Sequence, residues 1–299
     1  MTDIHDEFRL LPGKLEQLGL AGPIPPVRRT NVELGSATVS ALLWAEQPEM
    51  LFLHGGGLNA HTWDATVLAL GRPAIAVDLP GHGESTWRDD LDYSPATNAV
   101  AVATVLDRVA ADTAQHIVGQ SLGGLTGIAL LDLRPELVRS LVIVDISPGI
   151  LPEDSRQVRD FLAGPQVFSS RDEIVEKAFA AGIGPSREEL ERGVIHNTRV
   201  RADGSIVFRH HLANLEPGQS LNTGDFTTLW PTLERSTVPV LLVRGSRGFL
   251  SPPVVAEFAE RVPRATILEL DAGHNVHTQQ PVALADAIRE FHAASQAAA

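Results

Sequence analysis

The chain has 299 residues, 43% hydrophobic and 20% charged, enough to bury a sizeable core as one large or two small domains. Its formal net charge of −13 argues against nucleic acid and anionic membrane as partners. With no cysteine there is no disulfide, no thiolate nucleophile and no cysteine metal site, which fits a reducing compartment. The first residues carry neither a basic region nor an apolar run, so no signal peptide is expected. No stretch approaches the length of a membrane span, and a cytoplasmic protein is expected.

Residues 1–26 read as a polar lead-in with a short helix around Lys14 to Leu18, closed by Gly22-Pro23-Ile24-Pro25-Pro26. From Val27 to Ala45 two strand-like runs flank Gly35-Ser36, the pattern of an antiparallel hairpin. Met50-Leu51-Phe52-Leu53 is wholly apolar, as a strand buried on both faces is, and runs into His54-Gly55-Gly56-Gly57. A helix is expected from about His61 to Leu70. Ala74 to Val77 is a second buried strand, followed by Asp78-Leu79-Pro80-Gly81-His82-Gly83-Glu84-Ser85. Ser94-Pro95 supplies an N-cap and first helical residue, with Ala99, Val102, Ala103, Leu106 and Val109 at helical spacing behind it.

His116-Ile117-Val118 then leads into Gly119-Gln120-Ser121-Leu122-Gly123, with a helical pattern of small residues directly after it. A Gly-x-Ser-x-Gly between strand and helix marks a sharp turn that holds the serine hydroxyl clear of the sheet. Leu141 to Val144 is another buried strand, ending at Asp145, and the next run of that type starts only at Pro239. A strand–helix–strand crossover needs far less chain, so residues 150–233 read as an inserted, mostly helical module, a cap. It holds two capping boxes (Ser170 with Glu173, Ser186 with Glu189), an Asp203-Gly204 turn between short strand-like runs, and a helix expected to end before Pro231. The core rhythm resumes with Pro239 to Val243, a helix from Ser251-Pro252, a strand from Thr266 to Leu270, a loop at Asp271 to His274, and a terminal helix from Pro281 with Leu284, Ile288 and Phe291 on one face. Alternating buried strands and helices predict an α/β fold, a mainly parallel sheet covered on both sides, with 27–149 and 234–299 forming the core.

Taken in order, His54 to Gly57, Asp78 to Ser85, Gly119 to Gly123 and Gly273-His274 resemble the motifs of the α/β-hydrolase family. The resemblance implies Ser121 as nucleophile and His274 as its base, in a loop that the family carries over the serine turn. His277 is the nearest rival but lacks the preceding glycine. His54 and His82 lie in motifs that the family uses structurally, and His210-His211 fall in the inserted module. For the acid, many relatives use the loop after the next-to-last strand, yet Arg244 to Ser251 contains no Asp or Glu. Asp145, at the end of a buried strand where some relatives place the acid, is the expected third member; a carboxylate there needs hydrogen bonds to be affordable. Asp78 is expected to be a structural neighbour, and Asp271 stands too close in sequence to His274.

The oxyanion donors are expected to be the backbone N–H of Leu122 and that of Gly56, with Gly55 or Gly57 as alternatives for the second. Trp63, Trp87, Phe161, Phe168 and Phe249 are candidates for an apolar pocket. Phosphate-binding, dinucleotide-binding and His-Glu-x-x-His patterns are absent from the sequence, and His274 and His277 lie in a segment read as loop, so no metal or cofactor is expected. The resulting expectation is a cofactor-free serine hydrolase acting on a small to medium, largely apolar carboxylic ester. The same residues would serve lactones, amides, thioesters, carbon–carbon bond cleavage or perhydrolysis, and a ligand-binding receptor on the same fold is the alternative outside enzymes.

Overall fold

The structure, a computed structural model, describes residues 7–111, 113–150, 166–181, 184 and 186–297. Eight strands form one sheet: β1 (Val27–Leu34), β2 (Ala37–Trp44), β3 (Met50–Leu53), β4 (Ala74–Val77), β5 (Gln115–Gln120), β6 (Val138–Val144), β10 (Val240–Arg247) and β11 (Thr266–Gly273). Their spatial order is β1-β2-β4-β3-β5-β6-β10-β11. The β1–β2 hairpin and the β2–β4 pair are antiparallel; every other pairing is parallel. The short runs at 50–53 and 74–77 are buried at every position, as their uninterrupted apolar composition requires.

Alternate residues of these strands feed two separate cores. Leu51, Leu53, Ile75, Val77, Ile117, Leu141 and Ile143 pack with α3 (Pro95–Val109), α4 (Leu122–Leu133), α7 (Trp230–Arg235) and α8 (Pro252–Arg261). Met50, Phe52, Ala74, Ala76, Val118, Val142 and Val144 pack on the other face with α1 (Leu11–Gln17), α2 (Asp64–Leu70), α9 (Val276–Gln279) and α10 (Pro281–Ala297). Leu284, Ile288 and Phe291 supply the buried stripe of α10, and Leu11 brings the N-terminal segment into the same core. Ser94 caps α3 with its side chain, and Pro95 fits the first turn, where no backbone N–H is needed.

Between β6 and β10 the chain builds a smaller body. A three-stranded antiparallel sheet, β7 (Val167–Phe168), β9 (Ile206–Phe208) and β8 (Thr198–Val200), packs with α5 (Arg171–Ala180) and α6 (Arg187–Asn197) around Phe168, Ile174, Val175, Val194 and Phe208. The Asp203-Gly204 turn joins β8 to β9 with Gly204 at φ 84°. Ser170 and Ser186 cap α5 and α6, but the reciprocal half of each box is redirected: Glu173 accepts from Ser169, and Glu189 pairs with Lys14 of α1.

Three local expectations are corrected. Pro231 follows a short 3-10 helix, Phe226–Leu229, but does not stop the helical path: it lies in the first turn of α7, where a missing N–H costs nothing. Asp271 to Gly273 is not loop: β11 continues to Gly273, which pairs with Arg247 beyond a bulge in β11. The segment of His277 is a single helical turn, α9. Among the described residues no helix is long and apolar enough to cross a membrane.

Candidate active site

Ser121 stands between the last residue of β5 and the first of α4, at φ 51° and ψ −121°. A non-glycine residue in that region stores of order 1–3 kcal/mol of strain, which the surroundings must hold in place. They do so closely. A Cβ on Gly119 would stand 2.3 Å from the Gly123 carbonyl oxygen, and one on Gly123 would stand 2.1 Å from that of Leu53. Only glycine lets the strand, the turn and the helix approach this tightly. The Ser121 N–H donates to the Val144 carbonyl at 3.1 Å, fixing the turn to the end of β6.

Asp145 follows β6 directly and is fully buried, at φ 50°. Its carboxylate is completely engaged: Oδ1 accepts from the Gly245 N–H at 2.9 Å, and Oδ2 accepts from the Phe249 N–H at 2.7 Å and from His274 Nδ1 at 2.9 Å. The acid-free loop after β10 therefore has a different role. With the end of β10 it wraps Asp145: Gly245 within the strand and Phe249 in the loop supply the backbone donors, and Gly248 makes the room, since a Cβ there would lie 2.3 Å from both carboxylate oxygens. These bonds answer the desolvation cost that a carboxylate at this depth carries.

His274 leaves the end of β11. Its ring stacks on Phe249, with centroids 3.4 Å apart and planes 10° apart. With Nδ1 donating to Asp145, Nε2 is left as the basic nitrogen. The group that meets it is Gln120, whose Nε2 donates to His274 Nε2 at 2.9 Å and to the His274 carbonyl at 3.3 Å. The Ser121 hydroxyl has no hydrogen-bond partner among the described residues. Gln120 was not singled out in the sequence. It precedes the serine inside a buried strand, and only the return of the chain at β11 gives it a partner.

The rival residues have other partners. His277 is buried, packed against Trp63 with the rings tilted, and shares a hydrogen bond with Thr62 Oγ1 at 2.8 Å; burial pushes its pKa down to about 3. His54 accepts from the Leu79 N–H at 3.0 Å. Asp78 accepts from the Ala60 and Glu84 N–H groups and from Arg29 Nη1, which organises the loop after β4. Asp271 is on the surface with Arg247.

A cavity of about 660 Å³ opens above Ser121, lined among others by Gly55, Gly56, Gly57, Leu122, Phe249 and His274, and on its far side by α6. Gly56 faces the open space, with nothing within 4 Å of a notional Cβ, whereas one on Gly55 would stand 3.2 Å from Ser121 Cβ and 2.1 Å from Gln120 Oε1. Of the aromatic candidates, Phe249 lines the cavity. Trp63 does not: it is fully buried beneath, against Phe52 and His277. Trp87 stacks on His211 and donates to the Arg209 carbonyl, and Phe168 belongs to the small core of the inserted body. Phe161 lies outside the described residues. The cavity also has polar lining that the sequence reading left out, including Lys14, His61, Glu189, Arg192 and His196.

A model of the alpha/beta hydrolase family matches residues 50–287. The chain is 40% identical over 295 residues to the esterase Rv0045c of Mycobacterium tuberculosis, covering 95% of each. A solved structure of that esterase, described with its transition metal inhibition, superposes with a TM-score of 0.83 at 38% identity, covering 96% of this chain and 98% of the other. The chain is also 28% identical to a pimeloyl-[acyl-carrier protein] methyl ester esterase of Aeromonas salmonicida, over 85% of this chain and 99% of that one. With the order of the sheet, the serine turn and the family model in agreement, this chain belongs to the alpha/beta hydrolase family.

Proposed function

We propose that the chain is a serine hydrolase that cleaves a small to medium, largely apolar carboxylic ester without a cofactor. Ser121 is the nucleophile, His274 the general base and Asp145 the group that orients the imidazole. The observation that carries this reading is the His274 Nδ1 to Asp145 Oδ2 bond of 2.9 Å, made beside a serine held at φ 51°. It fixes the tautomer that leaves Nε2 free to accept a proton.

In the reaction, Ser121 Oγ attacks the ester carbonyl carbon while His274 Nε2 takes its proton, displacing the Gln120 amide from that nitrogen. The oxyanion receives the N–H of Leu122 and that of Gly56, at the positive end of α4. Collapse of the tetrahedral adduct expels the alcohol, which takes the proton from His274, and water activated by the same imidazole then releases the acid. The inserted body between β6 and β10 serves as a cap, with α6 along the cavity, and the apolar lining from Leu122, Leu125, Ile146, Phe226 and Phe249 suits an apolar acyl or alkyl chain. A small molecule in the cytoplasm, in place of nucleic acid or a membrane surface, accords with a net charge of −13 and a chain without cysteine.

Ser121→Ala is expected to abolish hydrolysis of an activated ester such as p-nitrophenyl butyrate, and to abolish the mass increase that a fluorophosphonate leaves on the wild-type protein. Turnover or labelling that survives in the variant would overturn the assignment of the nucleophile.

A further inference from the structure

One cluster of ligating side chains lies in the cavity wall and takes no part in the ester chemistry. His61 is in the 3-10 turn Ala60–Trp63, Asp64 opens α2, and His196 is near the end of α6. One donor atom from each lies within 4.8 Å of the other two. The His61 and His196 rings are stacked, with centroids 3.9 Å apart and planes at 20°, and both line the cavity.

Two atoms of this cluster lack what buried polar atoms ordinarily have. Asp64 is 1% exposed. Its Oδ2 accepts from Arg192 Nη2 at 2.9 Å and lies 3.0 Å from His61 Nδ1, but its Oδ1 is buried without a partner among the described residues. His196 Nε2 is buried without one as well. An orphaned buried acceptor costs about 1–3 kcal/mol, and here a carboxylate oxygen and an imidazole nitrogen are orphaned together.

His61 sits between two carboxylates, Asp64 at Nδ1 and Glu7 at Nε2, the latter at 3.2 Å. Of the neighbouring guanidinium groups, Arg192 donates to Asp64 Oδ2 within the cluster and to the Leu10 carbonyl, and Arg29 pairs with Glu7 and Asp78.

We propose that His61, Asp64 and His196 form a site for a divalent transition-metal ion of the zinc type, bridging the core and α6 across the cavity wall. Two imidazole nitrogens and a carboxylate are the donor set that suits zinc, cobalt and nickel in preference to magnesium or calcium. Donors at about 2.1 Å from one ion stand about 3.4 Å apart, so from separations within 4.8 Å the cluster closes by up to about 1.4 Å. That movement falls to the partly exposed His196. His61 releases its proton to solvent, and Asp64 and Glu7 balance the ion's charge. Because Asn59 hydrogen-bonds to Asn197 in the same seam, the ion fastens α6 to the segment that follows Gly55 to Gly57. On the hydrolase reading above, a bound ion therefore stiffens and narrows the cavity, and ester turnover falls reversibly.

The test is direct binding, read without substrate so that it stands or falls separately from the esterase assignment. Purified protein is stripped with EDTA and titrated with CoCl2 by visible absorbance and with ZnCl2 by calorimetry. One ion per chain is expected, with affinity at least 100-fold weaker in His196→Ala and in His61→Gln, and unchanged in His274→Ala. Absence of stoichiometric binding would overturn the proposal. So would binding that persists in both cluster variants, or binding lost in His274→Ala, which would put the ion on the imidazole beside Asp145.

Discussion

At the scale of single residues, the proposed acid, Asp145, is defined as much by what surrounds it as by its own identity. Asp145 could be singled out in the sequence because Arg244 to Ser251 holds no acid and a buried strand ends in a carboxylate. Its three hydrogen bonds could not, since two of the donors are backbone groups of that same stretch, Gly245 at the end of β10 and Phe249 in the loop after it. The loop must come within contact distance, and Gly248 is what allows this. Gly248→Ala places a methyl 2.3 Å from the carboxylate oxygens, and neither the buried Asp145 nor the backbone can yield cheaply. We expect kcat/KM on an activated ester to fall by about 100-fold, the cost of misplacing a catalytic group by about 1 Å. Steady-state kinetics would check this, and an unimpaired Gly248→Ala enzyme would show that the loop has room to spare. Phe249 was expected only as pocket lining; its stacking on His274 and its N–H bond to Asp145 also make it a positioning residue.

At the scale of elements, the sequence was most informative where one physical cause dominated. Uninterrupted apolar runs mark 50–53 and 74–77 because strands buried on both faces tolerate nothing else. Caps at Ser94, Ser170 and Ser186 were legible because an N-cap is a local event. Where pairing with a distant strand sustains the element, composition is silent. The ends of β10 and β11 are polar, carrying Arg244, Arg247 and Asp271, and hold together through each other. The strands of the inserted sheet, two or three residues each, are too short to show a period. The redirected half of the second box joins α6 to α1 through Glu189 and Lys14, a long-range pair that capping rules cannot foresee. Ser186→Ala removes the oxygen that accepts from the Glu189 N–H at 3.2 Å, and is expected to cost about 1 kcal/mol. Urea denaturation would measure it; a loss near zero would mean that the Lys14 pair alone anchors the start of α6.

At the scale of the whole molecule, the distribution of histidines sets the pH range of stability. His82, His210 and His277 are buried, and burial first of all lowers their pKa values to about 3. In the unfolded chain the same side chains titrate near pH 6.5. Their contribution is therefore complete above that pH and is lost as pH falls toward 3, at about 1.4 kcal/mol per pH unit each, or about 4 for the three together. His61 works in the opposite sense: raised to about 9, it stabilises fully below 6.5 and loses that contribution as pH rises through 9. Stability should peak near neutrality, and calorimetric Tm should drop by about 10 °C between pH 7 and pH 5. A Tm that stays level over that interval would mean that these histidines are free to take up protons in the folded state.

The proposed chemistry depends most on Asp145 orienting His274 toward Ser121. The decisive measurement is kcat/KM of Asp145→Asn on p-nitrophenyl butyrate, with circular dichroism confirming the fold. Asparagine keeps the shape but presents the wrong partner to Nδ1, and a loss of about 10⁴-fold is predicted. Activity within tenfold of the wild type would contradict the account and move the acid of the site to another carboxylate.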